Sequence, residues 1–441
     1  MQQIIIKNGT IVNSTHTQKS DLLISDGKIQ LIQSPISSHD SSTQVIDATD
    51  CLILPGGIDP HVHMQLPIGN NAASADDFLS GSRAAIAGGT TTIIDFVTPT
   101  PGQSLREAVD IRKKEAQQSL CNHALHLSVT QWTPNTPREM KTISDEEGIH
   151  SVKVYMAYKK TVGLDDSDIL KVMDTASQIG MTVMVHCEHG ETIDYLQQKF
   201  IAQGCYTPRY HPLSRPPEVE AEAVKRAIMM AKATGCKLYI VHVSTKEAVE
   251  EIQRAREQGL PVEAETCPHY LVLDEKEYQR SGFQAAAYIM SPPLRSIEHQ
   301  TALWDAIQKG IIQTVSTDHC PFNMKERETR GSTDFTKIPN GVPGVEHRLQ
   351  LLYHYGVLQN RITIQQFVDL VSTSPARCFH LYPHRGIIAP QAQADIVIWD
   401  PYIKNTISAK THHHHCDTSI YEGFEVTGAP RTVIINGTIF Q

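Results

Sequence analysis

Eight apolar segments of five to seven residues recur through the middle of this 441-residue chain, at 52–58, 90–96, 123–129, 151–156, 182–187, 238–243, 262–267 and 313–317. Amphipathic stretches of helical period lie among them, at 76–88, 104–119, 166–179, 216–234, 246–258 and 297–309. A strand covered on both faces reads as a continuous apolar run, and a helix between two such runs makes their pairing parallel. Eight units of this kind predict an α/β chain folded as a (β/α)8 barrel. A doubly wound open sheet is the alternative, but no glycine-rich phosphate-binding turn follows an early strand.

The two ends read differently. Short alternating segments at Gln3–Ile6, Thr10–Val12, Asp21–Ile24, Lys28–Ile32 and Gln44–Asp47 are broken by Asn8-Gly9 and Asp26-Gly27, which are hairpin turns by type. The C-terminal end repeats the style at Ala394–Trp399, Thr432–Ile435 and Thr438–Phe440. The expected organisation is a small β-sandwich built from both termini, residues 1–55 and 385–441, around a barrel at 56–384. Such a barrel exceeds the roughly 250 residues usual for the fold, so long βα-loops are expected.

Composition narrows the partners. A net charge of −9 argues against nucleic acid or an anionic membrane surface. No apolar run approaches the roughly 20 residues that span a bilayer. The first residues lack the basic and long apolar regions of a signal peptide. Nine cysteines without a Cys-x-x-Cys pair fit reduced thiols, hence a cytoplasmic protein. Cys187 and Cys320 read as small buried packing residues.

Site residues of a barrel enzyme lie at the C-terminal ends of its strands. The first segment runs into His61-Val62-His63, and residues two apart on a strand point the same way. With 22 histidines in the chain, one such pair is weak evidence. The later segments strengthen it. The fourth carries Lys153 inside an apolar run, the fifth ends in His186, the sixth in His242 and the eighth in Asp318. Imidazole and carboxylate donors of this kind suit zinc, with manganese or cobalt as alternatives. Four histidines and an aspartate are enough for two ions. A lysine buried in a strand loses proton affinity, and its neutral amine can add carbon dioxide to give a metal-bridging carbamate. The alternative is a lysine that reaches to the rim or pairs with Glu188.

These residues sit in motifs with a family likeness. Gly57-Ile58-Asp59-Pro60-His61-Val62-His63, Lys153-Val154-Tyr155-Met156-Ala157-Tyr158, Val185-His186-Cys187-Glu188 and Val241-His242-Val243-Ser244 are followed by Ser291-Pro292-Pro293-Leu294-Arg295, Ser316-Thr317-Asp318-His319-Cys320-Pro321-Phe322 and Pro339-Asn340-Gly341-Val342-Pro343-Gly344-Val345-Glu346. Together, from about residue 4 to 440, they resemble the dihydropyrimidinase and D-hydantoinase family of cyclic amidohydrolases. The resemblance implies a TIM barrel with a β-sandwich and a centre of two divalent ions. His61, His63 and Asp318 would hold one ion, His186 and His242 the other, and carboxylated Lys153 with a hydroxide would bridge them. Tyr158 would contact the substrate carbonyl, and Ser291 and Asn340 the ring amide. Asp318 would also carry the proton from the attacking water to the leaving nitrogen. The implied reaction opens a dihydropyrimidine or 5-substituted hydantoin to an N-carbamoyl amino acid. The implied assembly is a homodimer or homotetramer.

Three departures qualify the likeness. Gln65 and Ile68 stand where the family commonly has an acidic and an aromatic residue, in the loop Met64–Asn71 that shapes the substituent pocket. Dihydroorotases place an arginine two residues past the second histidine, yet here no Lys or Arg occurs from His61 through Asp77. Dihydroorotase or allantoinase activity therefore ranks as the alternative, and a metal-free scaffold protein of the family ranks below it because all six ligand positions are filled. The chain ends soon after Asn436-Gly437, so a tail embracing a neighbouring subunit is not expected. His412-His413-His414-His415 reads as a native loop, with a metal site as the alternative. His189, His269 and His319 read as supporting or packed histidines.

Overall fold

The computed structural model describes residues 3–37, 43–69 and 72–440. Eight strands pair in parallel and in chain order. They are β1 (Gly57–Val62), β2 (Thr90–Val97), β3 (Asn122–Ser128), β4 (Ser151–Tyr155), β5 (Thr182–His186), β6 (Lys237–Ile240), β7 (Val262–Thr266) and β8 (Thr314–Val315). The connecting segments carry helices, including Phe78–Ala87, Leu105–Ala116, Asp166–Ile179, Pro217–Thr234, Lys246–Glu257 and Ile297–Gln308. Right-handed crossovers of this kind bring the last strand back to the first.

The seam between β1 and β8 is closed by few backbone bonds and by buried side chains. Val62 bridges His319 in parallel, and the His63 amide donates to the His319 carbonyl at 2.8 Å. Below them Asp59 accepts from the Thr317 amide at 3.2 Å and its hydroxyl at 2.6 Å. Deeper still, the fully buried Arg348 guanidinium donates to the carbonyls of Ile58 (2.8 Å) and Val315 (3.0 Å). β8 is short because Ser316 and Thr317 are followed by Asp318, whose φ of 49° breaks extended geometry. The seam therefore sets Asp318 beside the histidines of β1.

The apolar run at 52–58 is two strands in two sheets. Leu52–Pro55 pairs antiparallel with Ile396–Thr406 and parallel with Thr10–Val12, whereas Gly57–Val62 pairs with β2. The break falls at Gly56, where a Cβ would lie 2.0 Å from the Thr91 hydroxyl. Both halves are buried, so hydropathy alone cannot separate them.

The termini form two sheets that share a core. One has the strand order Lys28–Gln33, Asp21–Ser25, Gln3–Lys7, Gln44–Asp47. The other runs Thr438–Phe440, Glu425–Ile435, Ile396–Thr406, Leu52–Pro55, Thr10–Val12, Thr17–Lys19. Ile4, Ile6, Leu22 and Ile24 of the first pack with Ile11, Ile53, Ile396 and Ile434 of the second. This is the expected β-sandwich. Ile396–Thr406 runs beyond the expected Trp399 because register shifts on both sides of Trp399-Asp400 absorb Asp400-Pro401, which reads as a turn in isolation. Thr17–Lys19 is wholly exposed and has no apolar signal to mark it. All nine cysteines are free and eight are buried, Cys187 and Cys320 among them.

Candidate metal centre

The strand ends bring the six expected ligands together. His61 is the fifth residue of β1, and His63 follows on the same face. Asp318 Oδ1 lies 3.3 Å from His61 Nε2 and 3.2 Å from His63 Nε2. These three ligand atoms all fall within 4.8 Å of one another. On the other side His186 Nδ1 and His242 Nε2 face each other at 2.9 Å. The His61 and His242 rings, 5.6 Å apart, join the two halves. Lys153 projects from β4 between them, its Nζ 3.4 Å from His61 Nε2.

Carboxylates behind the imidazoles set which nitrogen is free. Glu265 of β7 holds His61 Nδ1, which leaves the Nε2 lone pair facing Asp318. Glu188 Oε2 accepts from His186 Nε2 at 2.9 Å, which leaves the Nδ1 lone pair facing His242. This carboxylate–histidine arrangement is how metal-ligating imidazoles are oriented. A lone pair aimed at a carboxylate and two ring nitrogens aimed at each other are acceptor-rich sites, and a divalent cation satisfies both. The donor set therefore fits two such ions.

Charges follow the same logic. Burial alone raises the Asp318 carboxyl, but His61, His63 and Lys153 outweigh it and hold the group well below the usual carboxylate range. Burial likewise opposes Glu188, yet Arg215 and His186 bring it down to about 2. Burial dominates at Glu265, pushed up to about 7, and at Lys153, brought down to about 8 against the pull of Asp318 and Glu265. The Lys153 amine sits over the Phe96 ring at 4.7 Å rather than at the rim, and Glu188 is taken by Arg215 and His186. Both alternatives for the lysine, snorkelling and pairing with Glu188, are thus absent from the structure.

Asp318 and His63 expose 18% and 12% of their side chains, against 1% for His61 and none for Lys153, so the centre opens on their side. Tyr158 lies on the His186 side, its ring 5.1 Å from that imidazole and 5.5 Å from the Arg215 guanidinium. Burial raises its phenol above the ordinary value, so the hydroxyl stays protonated at neutral pH. The Ser291 hydroxyl donates to Asn340 Oδ1 at 2.9 Å. Gln65, Tyr158, His242 and Asp318 all adopt positive φ, 50°, 59°, 40° and 49°. Non-glycine residues held there are strained, and such strain concentrates at functional sites.

The model of the amidohydrolase family matches residues 52–440. The chain belongs to that family. Among curated relatives it is 45% identical to the D-hydantoinase of Geobacillus stearothermophilus, over 98% of this chain and 92% of that one. It is 42% identical to the dihydropyrimidinase of Dictyostelium discoideum, over 99% and 87%. The crystal structure of dihydropyrimidinase from Brevibacillus agri NCHU1002 superposes with a TM-score of 0.97 at 41% identity, covering 99% of this amidohydrolase and 94% of that chain.

Two supporting residues escaped sequence reasoning. Glu265 shares β7 with a second acid, Glu263, and nothing in the local pattern separates the buried one from its half-buried neighbour. Arg215 lies in a loop with no periodic signal. His319 supports the site as expected, donating through Nε2 to Asp76 at 3.1 Å while Nδ1 accepts the Gly344 amide. His189 caps the helix Gly190–Ala202 through Nδ1. His269 is buried against Tyr270, ring centroids 4.2 Å apart. In the pocket loop, residues 70 and 71 lie outside the described residues.

Proposed function

We propose that this amidohydrolase opens the ring of a dihydropyrimidine or 5-substituted hydantoin by hydrolysing a ring amide to an N-carbamoyl amino acid. The observation that carries the proposal is the convergence of His61, His63, Lys153, His186, His242 and Asp318 at one end of the barrel. The names of the relatives support the ring class.

His61, His63 and Asp318 would hold one divalent ion, zinc by donor type, and His186 and His242 a second. The Lys153 amine would add to the carbon of carbon dioxide, forming an N–C bond and releasing a proton, and the resulting carbamate has one oxygen for each ion. When bound, the ions supply hydroxide near neutral pH and polarise the ring carbonyl. Asp318 takes the proton of the attacking water and delivers it to the ring nitrogen as the C–N bond breaks. The Tyr158 hydroxyl donates to the carbonyl oxygen as charge develops there. Ser291 and Asn340, already joined, hold the ring amide against rotation.

Dihydroorotate is disfavoured because its carboxylate needs a cation, and an unpaired buried charge costs several kcal/mol. Gln65 offers none. Arg295 is committed to Ser244, Glu220 and the Arg215 carbonyl, and Arg330 to the carbonyls of Ile68 and Gly69. A hydrolysis panel of dihydrouracil, phenylhydantoin, allantoin and dihydroorotate tests the reading. Higher kcat/KM for dihydrouracil or phenylhydantoin than for dihydroorotate is expected. A ratio at or below one would install the dihydroorotase reading instead.

We further propose a symmetric dimer or tetramer acting in the cytoplasm. Sedimentation as a single-chain particle at micromolar concentration would contradict the assembly. No helix among the described residues is long and apolar enough to cross a membrane.

A further inference from the structure

The loop containing His412–His415 does not stand out in solvent. It folds onto the mouth of the barrel, where the His413 amide donates to Glu346 (2.7 Å), the His415 amide to Asp76 (2.9 Å) and the Asp417 amide to Asn323 (2.8 Å). The segment alternates, with His412 and His414 turned inward and His413 and His415 turned outward. His414 is 6% exposed and His347, facing it, is 5% exposed. We infer that His347, His412 and His414 form a binding site for one further divalent transition-metal ion, separate from the centre at the strand ends.

Two independent observations point there. Ligand nitrogens of the three residues all lie within 4.8 Å of one another. Both ring nitrogens of His347, both of His414, and Nδ1 of His412 are buried without a hydrogen-bond partner. Buried polar atoms are normally paired, and five orphaned imidazole nitrogens in one cluster need an explanation. A cation accounts for one nitrogen of each ring, because each neutral imidazole offers one lone pair. The His414 ring crosses the other two steeply, 87° to His412 and 80° to His347, while His347 and His412 lie within 23° of parallel with centroids 6.4 Å apart, so His414 reaches the shared point from a different direction than the other two.

Neighbouring carboxylates complete the arrangement. Asp76 Oδ2 lies 3.4 Å from His414 Nδ1, where it would fix the tautomer and leave Nε2 free. Glu346 Oε2 lies 3.8 Å from that Nε2 and is placed to be the fourth ligand. His319 and Asp76 also approach His414, but both His319 nitrogens are already used, by Asp76 and by the Gly344 amide. The ion would therefore staple the loop of the terminal sandwich to the barrel, behind the Asp318–His319 turn, without touching the reacting atoms.

The test is zinc and cobalt content after chelation, reloading and gel filtration. The site is counted by difference, so its result does not depend on how many ions the catalytic centre binds. His412→Gln and His414→Gln are each expected to hold one equivalent less than wild type. The outward pair H413Q/H415Q is expected to keep it, which separates a built site from chelation by a surface histidine run. The cobalt difference spectrum, wild type minus His414→Gln, is expected to show the intense visible bands of a four-coordinate site. If His414→Gln does not fold, half-buried His412→Gln decides the matter. Equal metal content in wild type and the inward variants, or loss of the equivalent in the outward pair, would overturn the inference.

Discussion

Glu265 holds Nδ1 of His61, and this contact across 204 residues of sequence decides which nitrogen of His61 faces Asp318. The same carboxylate accepts the Tyr239 hydroxyl at 2.9 Å and the His242 amide at 3.3 Å. One acid on β7 thereby orients a ligand of each half of the centre.

Glu265→Ala should loosen the metal without removing a ligand. Loss of such a supporting carboxylate typically weakens metal affinity about 10- to 100-fold. Competition with a chromophoric zinc chelator would measure it. Unchanged affinity would mean that Glu265 only packs the strand.

Lys153→Ala removes the proposed carbamate. Metal content and turnover should both collapse, and added short carboxylic acids should restore part of each by supplying the missing oxygens. Wild-type turnover in the variant, read alongside elemental analysis, would rule the carbamate out.

Asp318→Asn leaves four imidazoles and Lys153 in place but removes the proton carrier. Turnover should fall by roughly two to four orders of magnitude, the usual scale for a general acid–base. Metal content should fall much less. Near-normal kcat would take Asp318 out of the proton path.

Stability should decline as pH falls below about 6.5, with two buried histidines contributing. Burial holds His126 and His211 down to about 3, and each donates through Nε2 to a backbone carbonyl, of Pro60 and of Met290 respectively. Their unfolded value is 6.5, so between the two values the unfolded chain binds protons that the folded chain refuses. The stabilisation is whole above pH 6.5 and is lost towards pH 3. Each histidine adds a slope of up to about 1.4 kcal/mol per pH unit. His126→Gln and His211→Gln should each flatten urea-unfolding stability between pH 6.5 and 5, and identical slopes would refute the assignment.

Much of this was legible in the chain itself. A strand repeats every two residues, so His61 and His63 had to share a face, and apolar runs ending in His186, His242 and Asp318 marked the catalytic end of a barrel. Lys153 stood out because charge is rare in such a run. Local pattern could not say which partner covers a buried segment. Leu52–Pro55 and Gly57–Val62 look alike, and only pairing with Ile396–Thr406 or with β2 sends them to different sheets. The closure of β1 on β8 through Asp59, Thr317 and Arg348, the carboxylates behind the ligands, and the meeting of His347 with His412 and His414 are contacts between distant segments. Periodicity reports the face a side chain occupies; barrel closure, which brings those faces together, decides what it touches.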